Sequence, residues 1–223
     1  MKRSLNPLKT KIGVLDTTLR DGAQSALVSY TVKDKLKILD ILDALGIGFA
    51  EGGAPAAITK DEELFAYLKR ERVRFRTLKP VAFHSTCREG VAAREDELLR
   101  KTVSLSDEYV SLHGKSSLAQ VISVLRTSDT ENLRMIADSI SYCRENGKRV
   151  IFEGEHFFDG YRNDPGYAMQ TLVSAVNAGA ERVVLCDTNG GSMPGEIKRV
   201  VREVCKALSV PVGIHCHNDC GLA

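Results

Sequence analysis

Seven short, β-rich apolar runs punctuate the chain at fairly even spacing: Ile12–Asp16, Ile47–Glu51, Lys79–Phe83, Glu108–His113, Arg149–Glu153, Arg182–Cys186 and Val210–His215. Each is close to continuously hydrophobic rather than alternating, the pattern of a strand buried on both faces. Helical spacing lies between them. In Thr31–Leu45, residues Leu36, Leu39, Ile41 and Leu42 predict one apolar face, and Gly46 follows as a C-terminal cap. Thr130–Asn146 opens at a capping residue and stops before Gly147. Pro165–Asn177 and Pro194–Leu208 each begin with the proline that suits a first helical turn. Uninterrupted alternation of strand and helix predicts parallel strands joined by crossover helices.

A doubly wound open sheet and an eight-fold barrel both satisfy that alternation. The polar residues separate them. Nearly every run ends on, or is soon followed by, a chemically able side chain: Asp16 with Arg20 and Asp21, then Glu51, His84, His113, Glu153 with Glu155, Asp187, and His215 with His217. A closed barrel collects all strand C-terminal ends on one face, whereas an open sheet gathers only those at its switch point. No GxGxxG turn follows the first run. The expected fold is α/β, a TIM (β/α)8-type barrel that is incomplete at about seven strands, the final strand and helices being absent. Residues 1–11 are expected to form an N-terminal arm and residues 12–223 a barrel domain truncated at its C-terminal end.

Composition changes this picture little. At 223 residues, with 43% hydrophobic and 27% charged positions, the chain has the make-up of a soluble globular protein. A net charge of +2 without a basic stripe gives no reason to expect nucleic acid or a membrane surface as a partner. The basic start MKRSLNPLKTK lacks the apolar run of a secretory signal, and no stretch approaches the ~18 apolar residues of a membrane span. Six cysteines without a CxxC pair read as reduced thiols of a cytoplasmic protein and, for the most part, as core fillers.

The candidate chemistry begins with His215-Cys216-His217. Strand alternation sends the two imidazoles one way and Cys216 the other. With Asp21 brought in from the other end of the chain, they make a carboxylate and two imidazoles suited to a divalent metal. Two hydrogen-bonded histidines without an ion would satisfy the same pattern, and Asn218 or Asp219 could accept from the outer ring nitrogens. Arg20 beside such an ion suits a carboxylate or a developing oxyanion, or else a surface ion pair. Glu153 and Glu155 share a face. Either could serve as a general base if burial raised its pKa, position a substrate, or pair with an arginine. Thr188 and Asn189, in Asp187-Thr188-Asn189-Gly190-Gly191, could bind a carboxylate or simply form a tight turn.

Four segments, LDTTLRDGAQ (15–24), GEHFFDGY (154–161), LCDTNGG (185–191) and GIHCHND (213–219), resemble those of citramalate synthases. These belong to the Claisen-condensing metalloenzymes, with isopropylmalate synthase, homocitrate synthase and hydroxymethylglutaryl-CoA lyase. The resemblance runs from about Ile12 to the end. It implies a transferase of branched-chain amino-acid (isoleucine) biosynthesis that condenses acetyl-CoA with a 2-oxo acid, pyruvate before others, releasing CoA. It implies Asp21, His215 and His217 as ligands of a divalent ion (Mg, Mn, Zn or Co). Arg20 would stabilise the enolate or alkoxide, and Glu155 would bind or deprotonate the acetyl group. Gln24, Thr188 and Asn189, with Arg20, would bind substrate. Isopropylmalate or homocitrate synthesis, a retro-Claisen lyase, or an inactive fragment are the alternative readings. His84 and Cys87 replace a glycine and an arginine of the family pattern, and Ala54 a tryptophan, all near the acceptor pocket. Relatives carry a further strand and a C-terminal region for dimerisation and regulation, expected to be absent here. An open sheet edge with exposed core surface predicts that the chain made alone is oligomeric or poorly soluble and weakly active. A monodisperse monomer in light scattering, with a cooperative melt and normal turnover, would contradict that expectation.

Overall fold

A computed structural model describes residues 12–222, so the expected arm at 1–11 lies outside the described residues. Its seven strands are β1 (Leu15–Asp16), β2 (Phe49–Gly53), β3 (Lys79–Ser85), β4 (Tyr109–Lys115), β5 (Arg149–Glu155), β6 (Arg182–Asp187) and β7 (Val212–Cys216). All neighbours pair in parallel, in the order β1-β2-β3-β4-β5-β6-β7. A doubly wound sheet reverses its strand order partway; this one never does, so each crossover steps in one sense around a curling half-barrel. Among the described residues nothing pairs with the outer edges of β1 and β7. Ile12, Val14 and Ile214 accordingly stand exposed on those edges.

The helices are α1 (Val32–Ala44), α2 (Thr59–Arg70), α3 (Glu97–Leu105), the short α4 (Leu118–Gln120), α5 (Asp129–Glu145), α6 (Phe157–Asn163), α7 (Pro165–Asn177) and α8 (Pro194–Ala207). None is long and apolar enough to cross a membrane. Thr31 caps α1 through a reciprocal box with Asp34, and Gly46 at φ +77° lets the chain leave it. The buried face of α1 is Lys35, Leu39 and Leu42, while Ile41 is exposed. Ile41 lies two positions from Leu39, about 200° around the helix, so the expected four-residue apolar face is corrected there. The cap of α5 is Ser128, two residues before the expected start. The helices α2 and α3 were passed over although Leu64, Phe65 and Leu68 in one and Leu99 and Val103 in the other lie at helical spacing, whereas α4 and α6 are too short to show a period.

Alternation divides the side chains into two sets. Outward residues of β4 to β6, including Val110, Leu112, Val150, Phe152, Val183 and Leu185, form the main core with α3, α5, α7 and α8. Inward, Val81, Tyr109 and Ile151, with Leu15, Phe49 and Val184, fill the barrel floor. Arg149 and Arg182 stack on Tyr109 and Phe49 there, 4.7 and 4.9 Å from the ring centroids. Above that apolar layer the inward positions turn polar. The strands therefore continue one or two residues past most of their expected ends, since a polar mouth interrupts the hydrophobic run without ending the strand.

Gly160 of α6 packs tightly against the chain leaving β4: a Cβ there would lie 2.1 Å from the Ser116 carbonyl oxygen. Backbone would have to move, so Gly160→Ala should lose about 2–3 kcal/mol of stability, measurable as a lower urea midpoint with unchanged slope.

Candidate active site

Three layers of inward side chains rise from the barrel floor to its mouth. The first polar layer holds Glu51, Ser111, Glu153 and Cys186 around Arg20. That arginine follows β1 in a turn closed by Arg20 and Gly22 N–H groups donating to Thr17 O, 3.1 Å each. Its Nε donates to Glu51 Oε2 at 2.5 Å, Nη1 to Asp21 Oδ1 at 3.2 Å, and Nη2 lies 3.8 Å from Glu153 Oε2. Its guanidinium covers the Phe83 ring at 4.0 Å. Burial alone would lower the Arg20 pKa, but Glu51, Glu153 and Asp21 outweigh it, so the charge is firmly held. Glu51 is fully buried and its Oε1 has no hydrogen-bond partner. Burial first, and then the Glu153 carboxylate beside it, push the Glu51 pKa well above the ordinary carboxyl range. Glu153 accepts from Ser111 Oγ at 2.5 Å.

The expected metal set does converge. Asp21 Oδ2 is 3.3 Å from His215 Nε2 and 3.7 Å from His217 Nε2, and the two imidazoles stack at 5.3 Å. One oxygen and two nitrogens within 4.8 Å of one another could hold one ion. The donor chemistry fits a divalent cation, and Asp219 Oδ2 stands 3.8 Å behind His217 Nδ1. Cys216 faces the outer core, as alternation required. Cys186 does not join the cysteines that fill the outer core: its sulfur lies within 4.8 Å of ligand atoms of Glu153 and His215.

At the mouth, Glu155 accepts from Lys115 Nζ at 2.7 Å and from His113 Nδ1 at 3.1 Å. Burial pushes its pKa up, yet the hydrogen bonds and charges of His113 and Lys115 prevail and hold it at about 2. Glu155 is therefore ionised at neutral pH, and the carboxyl raised by burial is Glu51. His113 stacks on Phe83 at 5.0 Å, so Arg20 and His113 both pack on one ring. Thr188 Oγ1 accepts the His156 N–H at 2.9 Å, which leaves the hydroxyl proton for another acceptor. His156 holds a left-handed φ of 56°. Asn189 donates to Asp159 Oδ2 at 2.6 Å. Gln24 and Arg20 line a cavity of about 420 Å3 between the β1–α1 loop and the start of α2, with Val28, Ala54, Ile58 and Phe83.

His84 and Asp187, expected at the mouth, face outward instead. Each lies one residue from an inward position, Phe83 and Cys186 respectively. Asp187 accepts from Ser192 N–H and Oγ at 3.0 and 3.1 Å. Burial lowers the His84 pKa to about 4, leaving it neutral. Phe83, Ser111 and Lys115 had escaped notice, although counting in twos from Glu153, and across to β3 and β4, would have found them.

A curling parallel half-barrel with a carboxylate–imidazole cluster and a buried arginine at its mouth defines a parallel α/β barrel that gathers ligand-type side chains at its strand ends. A family model, HMGL-like, matches residues 11–223, and the chain belongs to that family. The (R)-citramalate synthase of Synechocystis sp. is 45% identical over 96% of this chain and 40% of that protein. A probable 2-isopropylmalate synthase of Methanopyrus kandleri is 32% identical over 96% of this chain and 40% of its own length. The crystal structure of hydroxymethylglutaryl-CoA lyase from Pseudomonas aeruginosa superimposes with a TM-score of 0.73 at 20% identity, covering 95% of this chain and 69% of that one. The chain thus spans about 40% of the curated relatives it matches.

Glu51 yields a pH prediction. Its folded pKa is raised above the unfolded value of ~4.3, so the neutral form stabilises the fold at low pH and that contribution is lost as pH rises above ~4.3 toward the folded pKa. Metal-free Glu51→Gln should therefore melt with a flatter pH profile than the parent as pH rises above ~4.3. Parallel profiles in differential scanning calorimetry would refute it.

Proposed function

We propose that this chain is the barrel part of an acetyl-CoA:2-oxo acid condensing transferase that forms citramalate from pyruvate. The observation that carries the reading is Asp21, His215 and His217 converging beside a buried Arg20, in a chain matched at 41–45% by five (R)-citramalate synthases. Isopropylmalate and homocitrate synthases match at 27–32%, which favours pyruvate over larger acceptors. The barrel, residues 12–223, is proposed as the catalytic unit of a cytoplasmic, homodimeric whole protein, with no nucleic-acid or membrane partner.

Asp21, His215 and His217 would hold the divalent ion, which would supply Lewis-acid polarisation of the 2-oxo acid carbonyl. Thr188 offers its hydroxyl proton to the acceptor's carboxylate, with Asn189 alongside. The cavity lined by Arg20 and Gln24 receives the acyl donor. The acetyl methyl is a very weak acid, so its deprotonation depends on stabilising the enolate oxygen, and the fixed guanidinium of Arg20 is suited to that. Glu155 carries full negative charge and orients the His113 ring, and this pair receives the methyl proton. The enolate carbon then bonds to the acceptor carbonyl carbon as the C=O π pair moves to oxygen, and the alkoxide takes back the proton held by the His113–Glu155 pair. Water cleaves the thioester, and CoA leaves as the thiol.

A thiol-release assay tests the reading. CoA should appear from acetyl-CoA only with both a divalent metal and a 2-oxo acid, and faster with pyruvate than with 2-oxoisovalerate or 2-oxoglutarate. Arg20→Lys keeps the charge but loses the fork, and should lower kcat about 100-fold. Preference for a larger oxo acid would move the assignment to a neighbouring synthase. Cleavage of a 3-hydroxyacyl-CoA in place of condensation would overturn it.

A further inference from the structure

A buried lysine grips the chain on both sides of the Arg20–Glu51 pair. Lys35 of α1 is 4% exposed and donates to Leu19 O at 2.9 Å, Gly52 O at 3.0 Å and Asp61 Oδ1 at 2.5 Å. All three ammonium protons are thereby used. Leu19 immediately precedes Arg20, and Gly52 immediately follows Glu51. Asp61, in the first turn of α2 and 3% exposed, turns its other oxygen to the Ala54 N–H at 2.8 Å. At Gly53, with φ +129°, a Cβ would lie 2.1 Å from that same oxygen. Glycine is what lets the carboxylate reach the end of β2.

Burying an ion pair is a poor way to gain stability, because apolar residues of similar volume often do as well or better. This pair does something apolar residues could not. Strand β1 has only two residues, paired at Leu15 and Asp16, and the chain has left the sheet by the time it reaches Arg20. Sheet pairing therefore does not place Arg20. The register of β2 also shifts between Glu51 and Gly53. Lys35 ties both irregular ends to one point.

We propose that Lys35 and Asp61 are positioning residues that clamp the peptides beside Arg20 and Glu51, and so hold the Arg20 guanidinium at the barrel mouth. Its value to catalysis rests on the condensation reading; the clamp itself does not. Displacing a charge-stabilising group by about 1 Å costs about 100-fold in rate.

The test is the double variant Lys35→Met/Asp61→Asn, which removes both charges and keeps an acceptor for Ala54 N–H. Two readouts are taken on the full chain. The first is the NMR signal of the Arg20 Nε–H group, assigned by its loss in Arg20→Lys; it should shift or broaden while the fold's backbone pattern and cooperative melt persist. The second is kinetic: because Lys35 and Asp61 also line the cavity proposed for the acyl donor, it is read at saturating acetyl-CoA, where kcat should drop about 10- to 100-fold. Lys148→Met is the control, since Lys148 donates to Ser106 O and Asp107 O at the opposite end of the barrel; it should leave both readouts unmoved. An unchanged Arg20 signal in the folded double variant, or an equal change in Lys148→Met, would overturn the proposal. Asp61→Asn alone is the milder second variant, and unfolding of both would assign the pair to stability and overturn it likewise. If the whole protein that carries this barrel releases no CoA, the condensation reading fails, while the Arg20 signal still decides the clamp.

Discussion

Everything at the mouth of this half-barrel depends on one guanidinium placed among carboxylates where water is scarce. Arg20 touches Glu51, Asp21 and Glu153 and lies flat on Phe83. An unpaired charge there would be strongly disfavoured, so the four groups must be arranged together. Their arrangement also sets protonation: the Glu153 and Asp21 carboxylates help keep Arg20 charged, while the crowding of two buried carboxyls favours a proton on Glu51.

The same crowding separates the carboxylates by role. Asp21 faces the two imidazoles of β7, Glu51 and Glu153 lie under the arginine, and Glu155 is tied to Lys115 and His113. Side chains of similar intrinsic acidity thus become a candidate ligand, a counter-charge and a fully ionised partner for an imidazole. Environment makes the difference, as burial and neighbours generally do for paired carboxylates. The outer core of Leu, Val and Phe supports this by fixing the strands, and so fixes which residues face inward.

Much of this was legible in the chain. All seven strands and four of the longer helices follow from apolar runs, proline starts and glycine stops, because those signals are local. The convergence of Asp21 with His215 and His217 also followed, since parallel strands bring their C-terminal ends to one face. His84 and Asp187 were placed on the wrong side because a one-residue uncertainty at a strand end reverses the facing of a side chain. Ile41 was placed in the core because apolar character does not say which way a helix is turned.

By itself, then, the sequence determined a parallel α/β barrel pattern, the family motifs and a carboxylate–imidazole set, all of which rest on short-range periodicity and residue chemistry. Only the tertiary structure decided that Glu51 sits beneath Arg20, that Glu155 is held at about 2, and that Lys35 reaches Leu19, Gly52 and Asp61. Those facts depend on distances between residues far apart in the chain, and on burial, which no local pattern encodes.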